Sequence, residues 1–247
     1  MAHLRLMLVA LALGLVPQAS QAADLSAREI IEKARAAIAK DPQSLNKIKG
    51  LRYELRFTDP EKKPLGLTIL DEVGVSRRQV DYNTDYTLEN ITASNGLEGW
   101  AARRNLTNGQ GESKIIGFAQ VARMREMTTD ELNFFAAPAK EIGSVKLIGK
   151  DKVNEQTVYA LEYRYKNGFA VTRFFNTENF KLVAYDQKTE AGQQQRQQVE
   201  EFTTEGEVTF IKREKVFIGG KHLLNVTYEK ITLNPTVSEE VFAFPVR

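Results

Sequence analysis

Cysteine is absent from all 247 residues of the chain. Without it there can be no disulfide staple, no thiolate for zinc or nucleophilic catalysis, and no cysteine to receive a lipid anchor. Histidine is nearly as scarce, with only His3 and His222 present. A catalytic triad or an imidazole-built metal site therefore has almost nothing to draw on, and His222, just after Gly219-Gly220, reads as a hairpin residue. Glycine-rich phosphate cradles are missing too, because Gly149-Lys150 runs on into Asp151 with no upstream glycine at P-loop spacing. Asp81, Asn83 and Asp85 have the alternate spacing of a calcium loop, but Tyr86 stands where the sharp turn needs glycine and Thr92 where a bidentate glutamate belongs. Neither sign of charge dominates: 34 Lys and Arg against 32 Asp and Glu, interspersed, exclude a basic nucleic-acid footprint or a polybasic membrane patch. Nothing marks a particular pair of carboxylates for acid–base work. The expectation is a protein that is not an enzyme and uses no cofactor.

Long apolar runs are confined to the start of the chain. Arg5 precedes an uninterrupted apolar stretch from Leu6 to Val16, Pro17 ends it, and Ser20-Gln21-Ala22 puts small residues where a signal peptidase reads them. The stretch is shorter than the roughly 20 residues a membrane-spanning helix requires. Residues 1–22 are thus expected to be a signal peptide, and residues 23–247 a single exported domain with no transmembrane segment. About 225 residues fits one large all-β domain as well as two small ones, and no linker divides the chain.

What is present is periodicity. Ser26-Ala27-Arg28-Glu29 has capping-box spacing, and Ala27, Ile30, Ile31, Ala34 and Ile38 recur at helical period until Asp41-Pro42 stops them. From Gly50 the period becomes two: Leu51, Tyr53, Leu55 and Phe57 alternate with Arg52, Glu54 and Arg56. Apolar alternation then continues to residue 233, punctuated by Asp59-Pro60, Asn95-Gly96, Asn108-Gly109, Asn167-Gly168 and Gly219-Gly220. This texture predicts strands near 65–73, 76–82, 86–93, 97–104, 144–151, 156–166, 169–176, 180–189, 195–203, 206–213, 214–219 and 222–233. They form one large meandering antiparallel sheet, either curled or closed. Residues 118–137 break the alternation and read as one or two helices inserted into the sheet, carrying Met124, Met127, Phe134 and Phe135. Methionine and phenylalanine adapt to irregular apolar shapes, so binding of an apolar partner competes with core-filling as their role.

The order of elements resembles one known family. The helix Arg28-Glu29-Ile30-Ile31-Glu32-Lys33-Ala34 leads through Ile48-Lys49-Gly50-Leu51 into a strand. A Gly96-Leu97-Glu98-Gly99-Trp100 hairpin, the helical insert, a Val158-Tyr159-Ala160-Leu161 strand and a closing Asn234-Pro235 with Val241-Phe242-Ala243-Phe244-Pro245 follow. This is similar to the outer-membrane lipoprotein-sorting, LolA/LolB-like proteins. The resemblance implies a mainly β fold with α: an incomplete antiparallel β-barrel, a curved sheet with an N-terminal helix, its apolar concave face covered by a helical lid. It also implies a periplasmic carrier or binding protein for lipoprotein acyl chains or other lipids, handing cargo between membrane-bound donor and acceptor proteins. On that frame Tyr53, Leu55, Phe57, Leu67, Ile69 and Trp100 are candidates for the cavity wall, and Met124, Met127, Phe134 and Phe135 for the lid. The alternative is a periplasmic regulatory or scaffold protein that binds a polypeptide. One expectation is directly checkable: N-terminal sequencing of the protein from a periplasmic fraction should begin at Ala23, whereas an intact Met1 in a membrane fraction contradicts cleavage.

Overall fold

A computed structural model describes residues 25–189 and 191–245; the expected signal segment and its cleavage point after Ala22 lie outside the described residues. Helix α1 (Ala27–Ile38) starts as the capping box requires. The Ser26 hydroxyl accepts from the Glu29 amide at 3.3 Å, and the Ser26 amide donates to the Glu29 carboxylate at 2.7 Å. Its buried stripe is Ile30, Ile31, Ala34 and Ile38.

Among the described residues, thirteen antiparallel strands follow in one sheet. They are β1 (Gly50–Thr58), β2 (Pro64–Val73), β3 (Ser76–Asn83), β4 (Leu88–Ser94), β5 (Gly99–Asn105) and β6 (Gly111–Ile115). After helix α2 (Phe118–Leu132) come β7 (Gly143–Val153), β8 (Gln156–Tyr165), β9 (Ala170–Asn176), β10 (Leu182–Lys188), β11 (Gln194–Glu205), β12 (Val208–Ile218) and β13 (Lys221–Leu233). Two-residue turns with both residues at positive φ join strands with native twist, and Gly219 (φ 56°) and Gly220 (φ 82°) supply one between β12 and β13. The expected strands 206–213 and 214–219 are one continuous strand, β12, and β6 has no counterpart among the expected strands.

The strand order is β6-β5-β4-β3-β2-β1-β13-β12-β11-β10-β9-β8-β7. Two meanders grow outward from the central β1–β13 pair, so the chain leaves one edge at β6 and must re-enter at the opposite edge, β7. Helix α2 makes that crossing over one face of the sheet. Its neighbouring residues Asp130 and Glu131 bond Arg173 on β9 and Tyr53 on β1 respectively. Those strands are five steps apart, about 24 Å in a flat sheet at roughly 4.8 Å per strand. Adjacent helical residues reach both only because the sheet curls around the helix. The result is a curved, unclosed sheet, an incomplete barrel.

Register assigns the faces. Leu51, Tyr53 and Leu55 share the inner face with Glu72, Leu70 and Thr68, their partners on β2. Across β1–β13 the same face adds Ile231, Tyr228 and Val226. Helix α1 closes the far part of this face, where Ile30, Ile31 and Ala34 pack with Leu161, Tyr163 and Phe175. The outer face is not polar throughout. Val80, Ile91, Ala93, Trp100 and Ala102 form a buried cluster there with Ile69 and Tyr82 against it.

The C-terminal segment covers part of that outer cluster: the Trp100 indole donates to the Phe242 carbonyl at 3.2 Å, and its ring meets Phe244 edge-on at 6.5 Å. Removing a buried aromatic ring costs about 3–5 kcal/mol. Trp100→Ala should therefore destabilise the protein by that amount and expose residues 235–245 to protease, with Trp100→Phe falling between. A Trp100→Ala protein with wild-type denaturant midpoint and an intact tail under limited proteolysis contradicts this packing.

Candidate cavity and its buried carboxyls

A cavity of about 220 Å³ lies between the inner face and the C-terminal end of α2. Its apolar wall is Leu55, Leu70, Met127, Phe134, Phe135 and Phe210, with the Tyr53, Tyr185 and Tyr228 rings among them. Of the residues named from the sequence, Tyr53, Leu55, Met127, Phe134 and Phe135 meet here. The others lie elsewhere. Phe57 shares the inner face beside Val226 but sits beyond the cavity, half-buried against the core. Met124 is on another side of α2, packed with Ile116 and Val121 against Ala101. Leu67 and Ile69 pair with Tyr82 and Val80 on the outer face, and Trp100 belongs to that face's cluster. The physical reason is phase: in β2 the inner positions are Thr68, Leu70 and Glu72, one residue out of step with Leu67 and Ile69.

The helix end that roofs the cavity has an unusual backbone. Phe134 (φ 46°) and Phe135 (φ 68°) are consecutive bulky residues in the left-handed region, where each costs on the order of 1–3 kcal/mol unless the surroundings fix it. Side chains fix both. Arg35 of α1 donates to the Asn133 and Phe134 carbonyls at 2.6 and 2.8 Å, and the Tyr163 hydroxyl donates to the Phe135 carbonyl at 2.8 Å. The turn sends the two rings apart. Phe134 meets Phe210 edge-on at 6.1 Å in one core cluster, and Phe135 meets Phe175 at 5.2 Å in the other.

Sequence reasoning did not find the most distinctive feature, a set of buried acids. Glu126 and Asp130 lie one turn apart on α2, both buried. Glu126 accepts from the Asn167 and Phe169 amides of the β8–β9 turn at 2.6 and 3.1 Å. Asp130 pairs with Arg173, with one bond at 3.1 Å, and accepts from the Tyr165 hydroxyl at 2.9 Å. Arg173 stacks over Tyr163 at 4.6 Å and Phe135 at 5.4 Å, and Asp130 holds its charge against the opposing effect of burial. On the cavity's other side Glu72 pairs with Arg77 yet keeps one oxygen, Oε2, without a hydrogen-bond partner. Glu131, itself exposed, accepts from the Tyr53 hydroxyl at 2.8 Å, and the buried Glu214 accepts from Tyr185 at 3.0 and 3.2 Å. The legible signal was register: Glu72 stands two residues after Leu70, and Glu214 two before Val216, in positions that alternation reserves for apolar side chains.

No family model matches the sequence, and no curated relative matches it. Solved structures do match. A DUF1329 family protein from Desulfovibrio piger is 11% identical with a TM-score of 0.55, covering 89% of this chain and 98% of that one. A LolA superfamily protein from Nitrosomonas europaea is 13% identical with a TM-score of 0.53, covering 90% and 99%. A candidate outer membrane lipoprotein-sorting protein domain from Vibrio parahaemolyticus is 10% identical with a TM-score of 0.54, covering 87% and 97%. The chain therefore has the LolA-like fold. No helix among the described residues is long and apolar enough to cross a membrane. His222 lies beside its hairpin turn, stacked on Phe217 at 5.1 Å and bonded to Asn225 at 3.0 Å.

The buried acids make stability depend on pH. Burial pushes the Glu214 carboxyl from 4.5 up to about 7, against the pull of the Tyr185 hydroxyl. Burial also pushes Glu72 up, with Arg77 drawing it down and Glu131 and Asp130 adding to the rise. A carboxyl raised in the folded state holds a proton there that the unfolded chain has lost. Its stabilisation is complete below about 4.5 and is lost as pH rises through about 7. Denaturant melts from pH 5 to pH 8 should show stability falling, and Glu214→Gln should flatten the fall; an identical slope in the variant contradicts the assignment.

Proposed function

We propose that this chain is a periplasmic carrier that shelters the acyl chain of a lipoprotein or another lipid inside the curled sheet. One observation carries the reading: an apolar cavity roofed by the end of α2, whose two phenylalanines sit in a strained backbone held shut by Arg35 and Tyr163. Strain concentrates where a segment has a second state. The cavity of about 220 Å³ is below the roughly 300–1,000 Å³ of typical ligand sites, so the roof opens to admit a long guest. Sequestering an alkyl chain gains about 0.8 kcal/mol per buried methylene. That is enough for a water-soluble shell to carry insoluble cargo between membrane-bound partners. The signal-like first 22 residues support export, and the LolA-like fold supports the cargo class. The reading assigns no catalysis and no cofactor.

Filling the cavity separates this role from a simple core. Met127→Trp and Leu70→Trp place bulk in the space at a cost of about 1–3 kcal/mol. Each should weaken binding of a neutral apolar fluorescent probe at least fivefold while the protein still melts cooperatively. Wild-type protein that binds no probe, or filled variants that bind it equally well, contradict the carrier reading.

A further inference from the structure

We propose that the cavity selects a single-chain amphiphile whose head is a hydrogen-bond-donating cation, a primary ammonium above all, and discriminates against fatty-acid carboxylates. The inference rests on the carrier reading and deepens it by naming the head group. Three carboxyl residues line the cavity, Glu72, Asp130 and Glu131, against two guanidiniums, Arg77 and Arg173. Both guanidiniums are committed, Arg77 to Glu72 and Arg173 to Asp130. A carboxylate head would find no free cation.

The tyrosine hydroxyls in the wall are turned to carboxylates in the same way. The Tyr53 hydroxyl donates to Glu131 at 2.8 Å, and the Tyr185 and Tyr228 hydroxyls donate to Glu214 at 3.0 and 3.5 Å. Among the carboxyls of the wall, one oxygen is left to spare as an acceptor. Glu72 is fully buried, lines the cavity, and leaves Oε2 with no hydrogen-bond partner. A buried acceptor without a donor carries a desolvation cost that an incoming N–H removes, and a charged donor gives the stronger bond. Glu131 lines the same cavity and adds a second carboxyl to its wall. Leu55, Leu70, Met127, Phe134 and Phe210 supply the apolar walls for the chain attached to that head.

The test is competition for a neutral apolar fluorescent probe by dodecylamine, dodecanol and dodecanoate at pH 9, where the Glu72 carboxyl, pushed up to about 8 by burial, has lost its proton, each competitor below its micellar concentration. The three share one chain length and differ in the head alone. Dodecylamine should displace the probe at least tenfold more tightly than dodecanoate, with dodecanol between them. Glu72→Gln should shrink the amine-to-carboxylate ratio below threefold while dodecanol binding changes less than twofold. Glu131→Gln, which leaves the Arg77 partner in place, should reduce the ratio in the same direction and decides the matter if Glu72→Gln fails to fold. Equal binding of the three competitors, tighter binding of dodecanoate, or an unchanged ratio in the variants overturns the head-group inference and leaves the carrier standing. Failure of wild-type protein to bind the probe or any competitor overturns both.

Discussion

The buried pair between Asp130 and Arg173 fixes the relation of the crossing helix to the sheet. A meander that ends at opposite edges of a thirteen-stranded sheet leaves a wide gap for the chain to cross, and the crossing element has to be anchored on the far side. Leucines alone would serve poorly, because apolar contact is non-directional and lets a helix slide or roll. A planar guanidinium between a carboxylate and two aromatic rings fixes distance and orientation together. Glu126, one turn earlier, adds a second anchor by accepting the turn amides of Asn167 and Phe169. Breaking such a pair by removing one partner strands the other charge, which costs about 3–5 kcal/mol. The helix is therefore held near its C-terminal end by polar geometry, and that end is where the cavity lies.

The same anchoring explains how a strained turn persists. Phe134 and Phe135 follow directly from the anchored turn of α2, and Arg35 and Tyr163 hold their carbonyls. Arg35 belongs to α1 and Tyr163 to β8, so the roof depends on two elements that are otherwise remote in sequence. Its rings reach both halves of the core: Phe134 belongs to one cluster, and Phe135 packs against both. On the carrier reading this turn is the part that moves, taking Phe134 and Phe135 off Phe210 and Phe175 while the strand ladders stay paired.

Most of the fold was legible because strands and helices write their periods plainly. Leu51, Tyr53, Leu55 and Phe57 announce β1, and the Ser26–Glu29 box announces α1 at the residue where it begins. What stayed hidden has two physical causes. A sheet with apolar clusters on both faces gives alternation without saying which phase faces inward. Leu67, Ile69 and Trp100 were thus assigned to a cavity whose walls lie on the opposite face. A run of charged residues also hides a continuous strand: Arg213-Glu214-Lys215 interrupts the apolar alternation of β12 although Glu214 points into the core. β6 was missed because Gly111–Ile115 is an edge strand, exposed along its length, that needs no alternating face.

The central claim is that the inner face of the sheet holds a lipid and is not merely a core with a void. Native mass spectrometry of the protein isolated from the periplasm, without detergent, tests this most directly. The account predicts a second species heavier by the mass of an acyl-bearing molecule, lost on Met127→Trp. A single apo species in protein purified under conditions that preserve lipid complexes, with the filled variant indistinguishable from wild type, would contradict it.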